Sequence, residues 1–221
     1  MSSIYNKPKG CKDVFRAFLV EKADYEGIEE IPCIKTSGKL PSKVIPFSKA
    51  LKTSDYNQWV VFYEKDEKFM RLWNTPHKYL KVLKKFKGVI TPDFSLYRNM
   101  PLVMQKWSTY QGKAIGVWLQ NEGIEVIPNV RFADERSYQF CFDGVEKNST
   151  VAVGTHGCIK ESLDRAFFEK GLAEMVKRLN PHTIIVYGAA PDDIFLKYKE
   201  MGICIVRFDS DFAIAHKVVG A

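Results

Sequence analysis

Short continuous apolar runs along the second half of the chain predict strands. Each run is bounded by Gly, Pro, Asn or Asp, and the runs lie at 88–96, 124–132, 149–157, 182–190 and 203–210. Longer segments place apolar residues every three or four positions and predict helices, at 99–122, 160–180 and 191–202. Strands and helices that alternate in this way form βαβ units. We therefore predict an α/β fold with a mostly parallel sheet of about five βα units, either doubly wound or an incomplete barrel.

The first third of the chain has a different pattern. Residues 1–50 are rich in Lys, Pro, Gly and Ser, which favours loops. Residues 58–66 predict a strand, because β-branched and aromatic residues dominate there, and residues 67–73 predict a connector or a second strand. We expect two parts: a basic N-terminal extension, residues 1–75, packed on an α/β core domain, residues 76–221.

Residues 74–88 predict a basic amphipathic helix. Pro76 suits its first turn and Gly88 its end. One face is apolar, and the other carries Lys78, Lys81, Lys84 and Lys85. Such a face is either a solvated surface over the core or a surface that binds nucleic-acid phosphates.

The charge distribution favours an anionic partner. The formal net charge is +7. Residues 1–90 hold 18 Lys and Arg against 10 Asp and Glu, whereas residues 91–221 hold 15 against 16. The basic excess therefore lies in the first part of the chain, which suits a nucleic acid or a nucleotide; the alternative is a surface that serves solubility.

Hydropathy and cysteine usage bear on the compartment. No apolar run approaches the roughly 18 residues of a membrane span, and the N-terminus lacks the apolar core of a signal peptide. The five cysteines are scattered and never spaced as C-x-x-C. We therefore expect no membrane association, reduced thiols and a cytoplasmic location.

Polar and titratable residues follow nearly every predicted strand. In parallel α/β folds ligands bind at the carboxyl ends of the strands, so we expect these residues on a common rim. The residues with predicted catalytic roles are Asp93, Asp134 and His156. Those with predicted ligand-binding roles are Asn129, Arg131, Arg136, Thr155, Gly157 and Tyr187.

The chemistry of these residues leaves alternatives open. Glycines on both sides of His156 let a ligand approach the backbone, and the imidazole would act as acid, base or metal ligand; the alternative is a tight βα turn. The planar fork of Arg131 suits phosphate or carboxylate. Asp93 and Asp134 would bind Mg²⁺ or act as base and acid. The alternatives are a turn residue or helix cap for Asp93 and an exposed, salt-bridged loop for 134–137.

Four segments in this order resemble a bacterial family of unknown function found in phages, prophages and other mobile elements of Gram-positive bacteria. The segments are GVITPDFSLYRNMP, VIPNVRFADERSYQFCFDG, VGTHGCIK and IIVYGAAPDDIF, and the resemblance spans about residues 70–212. It implies a phage or mobile-element context, hence a bacterial host cell, and it implies no activity. The residues that fall in the shared motifs are Asp93, Asn129, Arg131, Asp134, Glu135, Arg136, His156, Gly157 and Tyr187.

Two functions follow from these patterns. The first is a protein that handles a phosphate-bearing ligand, a nucleotide or a nucleic acid, as a hydrolase with its site at the strand ends and a divalent metal such as Mg²⁺ as cofactor. In that case His156→Ala should abolish turnover. The second is a non-catalytic protein that binds nucleic acid, or a host protein in the manner of an anti-defence factor.

Overall fold

The computed structural model describes residue 10 and residues 12–219, with side chains up to residue 215. Residues 1–9 of the predicted N-terminal extension, Cys11 and the last two residues lie outside the described residues. The strands are β1 (Tyr25–Glu26), β2 (Ile31–Pro32), β3 (Val44–Pro46), β4 (Trp59–Val61), β5 (Gly88–Ile90), β6 (Val126–Ile127), β7 (Thr150–Gly154), β8 (Thr183–Tyr187) and β9 (Cys204–Phe208). The α-helices are α1 (Phe47–Ala50), α2 (Asp66–Asn74), α3 (Pro76–Leu83), α4 (Leu102–Asn121), α5 (Ser162–Leu179), α6 (Asp192–Glu200) and α7 (Asp211–Val219).

Seven of the strands run parallel and follow one another in chain order. The order β3-β4-β5-β6 forms one parallel sheet and β7-β8-β9 another. A parallel bridge between Asn129 and Ala152 joins the two sheets just after β6. There the Val130 N–H donates to the Ala152 carbonyl at 2.8 Å, and the Ala152 N–H donates to the Pro128 carbonyl at 2.9 Å. The predicted α/β fold with parallel strands is confirmed.

The seven strands curl toward each other. The rings of Tyr63, just after β4, and Tyr187, in β8, stack with centroids 4.6 Å apart. In a flat sheet strands four places apart would lie ~19 Å from each other. At the sheet ends, Lys49 and Asp211 form an ion pair at 2.7 Å. Since no pairing joins β3 to β9 among the described residues, this is an open barrel rather than a closed one. Strands in chain order also exclude the doubly wound alternative, whose strand order reverses.

Both faces of the central strands, β4 to β8, are buried, which explains their continuous apolar runs. The concave face forms one cluster, made of Trp59, Val61, Ile90, Ile127, Ala152, Ile185 and Tyr187. The convex face packs under the helices through the alternate residues, which include Val60, Val89, Val126, Val151, Val153, Ile184 and Val186. The carboxyl ends of the strands therefore surround one mouth of the open barrel.

The sheet begins earlier in the chain than the strand pattern indicates. β3 pairs with β4, and β4 pairs with β5. The boundary predicted after residue 75 falls between α2 and α3, in the connection from β4 to β5. Residues 67–73, predicted as a connector or a strand, belong to α2. The predicted helix at 74–88 is shorter, because α3 ends at Leu83 and Gly88 begins β5.

Two further observations concern the expected compartment. Over residues 12–219 no helix combines the length and the apolar character needed to cross a membrane. Cys33, Cys141, Cys158 and Cys204 are free thiols.

Candidate functional site

Asp93 lies at the centre of a hydrogen-bonded group at the mouth of the barrel. The Asn129 side-chain amide donates to Asp93 Oδ1 at 2.8 Å. Arg131 Nη1 donates to Asp93 Oδ2 at 3.3 Å and forms an ion pair with it. The side chain of Asp93 is 12% exposed and that of Arg131 24% exposed. The structure thus brings together three of the predicted site residues, from the ends of β5 and β6.

The sheet register places this group. Ile90 pairs with Ile127, so the residues that follow the two strands leave the sheet side by side. The hydroxyl of Thr91 accepts the backbone N–H of Asn129 at 2.8 Å, which fixes the start of the second segment against the first. Parallel pairing of adjacent strands is therefore what carries Asn129 and Arg131 to Asp93.

Two stacked tyrosines lie next to this hydrogen-bonded group, on the side that faces the interior of the barrel. The hydroxyl of Tyr63 donates to Asn129 Oδ1 at 2.9 Å, and its ring stacks on Tyr187. The hydroxyl of Tyr187 accepts the Asp211 N–H at 3.0 Å. Gly154 leaves room for this stack, because a Cβ at that position would lie 2.8 Å from the Tyr63 ring. A chain of hydrogen bonds therefore runs from Tyr63 through Asn129 to Asp93.

Burial sets the electrostatics of the group. It raises the pKa of Asp93 above its usual value, and the Arg131 guanidinium and the Asn129 amide limit that rise. The Asp93 carboxylate in turn raises the pKa of Arg131, which stays a cation. Burial also holds the pKa of Tyr63 well above its usual value, so its phenol stays a neutral donor. A carboxyl group with a raised pKa beside a fixed cation is typical of catalytic sites but also occurs in structural ion pairs.

A cleft of about 420 Å³ opens beside Arg131; we call it the arginine cleft. Its walls include Arg98, Arg131, Phe132, Gly157, Cys158 and Phe167. Arg98 Nη2 pairs with Asp164 at 2.6 Å, and its guanidinium lies 4.3 Å from the centroid of the Phe167 ring. Arg98 Nη1 and Arg131 Nε are buried without a hydrogen-bond partner. Two guanidinium groups with unused donors can hold an oxyanion here.

The cleft also contains a thiol. Arg131 Nη1 lies 3.6 Å from Cys158 Sγ. Burial raises the pKa of Cys158, although the adjacent Arg131 lowers it. Cys158 is therefore a protonated thiol near neutral pH and a poor nucleophile.

The glycine-flanked loop after β7 forms a tight turn. The N–H of Thr155 donates to the Tyr187 carbonyl at 3.0 Å and its hydroxyl donates to the Ala189 carbonyl at 2.7 Å. Gly157 takes a positive φ of 77° and lines the arginine cleft. His156 is exposed, and its ring centroid lies 5.6 Å from that of Phe212. No hydrogen bond or ion pair within the described residues joins His156 to Asp93, so its predicted catalytic role has no geometric support.

Asp134 and Arg136 pair with each other and not with Asp93. Asp134 accepts from Arg136 Nη2 at 2.9 Å, and that hydrogen bonding lowers the pKa of Asp134. Arg136 also donates to the Arg98 carbonyl. Residues 134–137 therefore match the alternative interpretation, a salt-bridged loop, and this loop lies beside the arginine cleft. Within the described side chains, residues 12–215, there is no group of three or more His, Cys, Asp or Glu side chains that could bind a metal ion. The predicted Mg²⁺ site at Asp93 and Asp134 stays a prediction.

The predicted lysine face on and after α3 is exposed but partly engaged. Lys84 pairs with Glu122 at 2.8 Å, and Lys85 Nζ lies 5.0 Å from the centroid of the Tyr56 ring. Lys78 Nζ lies 6.0 Å from that of Tyr79, and Lys81 is exposed. These contacts fit a solvated surface over the core.

Three residues of this region escape the sequence patterns. Tyr63 lies inside the strand predicted at 58–66, whereas β4 ends at Val61, so the predicted strand end does not reveal its place on the rim. Arg98 lies in a loop without a recognisable pattern. Lys113 lies on α4 with only 3% of its surface exposed, which depends on packing that the local sequence does not encode.

Comparison with known proteins gives a family and two phage relatives. The chain is 38% identical over 127 residues to the Gene 1 protein of Mycobacterium phage L5, and 35% identical over 127 residues to the Gene 1 protein of Mycobacterium phage D29. Each alignment covers 58% of this chain, and they cover 56% and 47% of the phage proteins, so the chain spans about half the length of these curated relatives. No solved structure matches the chain.

The family match is more extensive than either pairwise match. The model described as Domain of unknown function (DUF4417) covers residues 23–209, which include every predicted site residue. The predicted relationship to a family of unknown function with phage members is therefore confirmed. The chain belongs to the family described as Domain of unknown function (DUF4417).

Proposed function

We propose that the protein binds a phosphate-bearing ligand, a nucleotide or the end of a nucleic acid, in the arginine cleft. The observation that carries this proposal is the pair of guanidinium groups of Arg98 and Arg131 in one cleft, where Arg98 Nη1 is a buried donor without a partner. An unsatisfied buried donor costs free energy, which an oxyanion in the cleft would recover. The planar fork of arginine matches two phosphate oxygens.

The rest of the cleft suits the remainder of a nucleotide. Tyr97, which is 56% exposed, Phe132 and Phe167 supply aromatic surface next to the two arginines. Aromatic side chains bind bases by stacking without regard to sequence. A volume of about 420 Å³ lies within the range of small-molecule sites.

Asp93 is the group in this site that would move a proton. Arg131 touches both the cleft and Asp93, so a phosphate bound to Arg131 lies close to that carboxyl group. Burial raises the pKa of Asp93 toward the range of a general acid or base. In the hydrolytic form of the proposal, Asp93 accepts a proton from the water that attacks phosphorus while Arg131 stabilises the charge that develops on the phosphoryl oxygens. The bond from phosphorus to the leaving oxygen breaks, and the leaving oxygen takes up the proton from Asp93.

Binding is tested by calorimetric titration of adenosine monophosphate against adenosine. We expect the wild-type protein to bind the monophosphate and not the nucleoside. Arg98→Met should weaken that binding about tenfold or more, because it removes a charged hydrogen bond. Arg165→Met is the matched control, since Arg165 also pairs with aspartate, Asp193, but lies outside the cleft. Equal affinity for the nucleoside, or equal losses in the two variants, would contradict the proposal.

Hydrolysis is tested separately, by release of inorganic phosphate from nucleotides and of nucleotides from a single-stranded oligonucleotide. Asp93→Asn keeps the shape of the side chain and the acceptor for Asn129 but cannot take a proton. We expect it to bind the monophosphate and to lose turnover by about 100-fold or more. Ligand binding without any turnover in the wild type would refute the hydrolytic form and leave a binding protein.

A further inference from the structure

A second, smaller cavity shares Arg131 with the arginine cleft. Its volume is about 20 Å³, which is room for roughly one water molecule or one monoatomic ion. Its lining includes Thr109 and Lys113 from α4, together with Pro92, Asn129, Arg131 and Cys141. It therefore lies between α4 and the segments that follow β5 and β6.

Three polar side-chain atoms in this lining have no hydrogen-bond partner. Lys113 is 3% exposed and its Nζ is buried without a hydrogen bond. Thr109 is 9% exposed, and its Oγ1 is also buried without a hydrogen bond. Arg131 Nε is the third buried atom without a hydrogen bond. Lysine and arginine nitrogens only donate, and a threonine hydroxyl can donate. The missing occupant is therefore an acceptor of hydrogen bonds.

The charge around the cavity favours an anion over water. Lys113 and Arg131 each carry a positive charge. Asp93 forms an ion pair with Arg131 and not with Lys113. Asp143 and Glu26 act on Lys113 electrostatically, but neither forms an ion pair with it within the described residues. Cys141 in the lining stays a neutral thiol, because burial raises its pKa. A buried ammonium group without a counter-charge is costly.

We propose that this cavity is a halide site, occupied by chloride held between Lys113 Nζ, Thr109 Oγ1 and Arg131 Nε. The volume excludes tetrahedral oxyanions such as phosphate and sulfate. The bound ion braces Arg131 from the side of Nε while Nη1 holds Asp93. The site uses Arg131 Nε alone and leaves the terminal nitrogens of Arg131 to the arginine cleft.

Bromide replaces chloride in such sites and has a strong anomalous X-ray signal. Crystals of the full chain soaked in sodium bromide should show an anomalous peak among Lys113, Thr109 and Arg131. Density for water without an anomalous peak at this position would overturn the proposal.

A solution measurement provides the second test. Replacing sodium gluconate by sodium chloride at constant ionic strength should raise the Tm of the wild-type protein by about 2–4 °C, because the ion binds only the folded state. Lys113→Met should abolish this difference and Thr109→Val, which removes one donor and keeps the shape, should reduce it. Lys199→Met, at an exposed lysine paired with Asp192, should keep it. An equal chloride effect in the wild type and in Lys113→Met would refute the site.

Discussion

Arg131→Met is expected to destabilise the protein by about 3–5 kcal/mol near neutral pH, the cost of removing one partner from a buried ion pair. The side chains of Arg131 and Asp93 are 24% and 12% exposed, so water screens the remaining charge only weakly. The loss should appear as a lower midpoint in urea unfolding at an unchanged slope.

The loss should grow with pH, because Asp93 can escape the penalty by taking up a proton. Burial already raises the pKa of Asp93, and without the guanidinium it rises further. Between the unfolded value, about 3.9, and the folded value, the folded state holds more protons than the unfolded state. The free energy of unfolding of the variant therefore falls relative to wild type as pH rises from about 4 to 8.

A second substitution separates this mechanism from simple loss of packing. Arg131→Met combined with Asp93→Asn has no buried carboxylate, so it should regain most of the lost stability and show no added pH dependence. Arg165→Met, at a more exposed ion pair, should cost about 1 kcal/mol or less and add no pH dependence of this kind. A destabilisation of Arg131→Met that stays the same from pH 4 to pH 8 would show that Asp93 is not left uncompensated.

Lys113→Met is expected to stabilise the protein at pH 7 in buffer without halide, by about 3 kcal/mol. Burial lowers the pKa of Lys113 from 10.5 to about 8, and each unit of such a shift corresponds to about 1.4 kcal/mol. At pH 7 the wild type carries a buried ammonium group in the folded state. Methionine has a similar length and no charge, so it removes that penalty.

The advantage of Lys113→Met should shrink as the pH rises above about 8. Between about 8 and 10.5 the folded wild type has released the Lys113 proton while the unfolded chain still binds it. Wild-type stability therefore rises relative to the variant through this window. Urea unfolding of both proteins at pH 7 and pH 10 measures the difference, and groups that titrate equally in both cancel. A variant less stable than wild type at pH 7, or a difference independent of pH, would contradict the buried, unpartnered ammonium group.

The sequence predicts the later strands well and the early elements poorly. β5 to β9 all lie within predicted runs. β5 to β8 are buried on both faces and are therefore almost continuously apolar, whereas the edge strand β9 is partly exposed. β3 has three residues and ends at Pro46, too short a run to stand out among loops. α2 has nine residues, too few for its helical pattern to be recognised. The pattern is present, because Phe69, Leu72 and Trp73 are buried at helical spacing and its first turn is acidic.

The candidate site is predictable only as far as the sheet determines it. Adjacent parallel strands deliver Asp93, Asn129 and Arg131 to one place, which the strand ends indicate in advance. The positions of the His156 and Asp134 side chains are set by turns that follow the strands and not by the strands themselves. The turn after β7 leaves the His156 side chain exposed, with its ring next to that of Phe212. Asp134 forms an ion pair with Arg136. Local sequence does not fix the direction of a side chain in such turns.

Arg98 and Arg131 are the groups through which we propose that the arginine cleft binds phosphate. The most direct test is a crystal structure of the full chain soaked in a mixture of deoxynucleoside monophosphates. We predict density for a phosphate group within hydrogen-bond distance of both guanidinium groups, next to Asp93. Phosphate density on the lysines from Lys78 to Lys85 with the arginine cleft empty would contradict the claim.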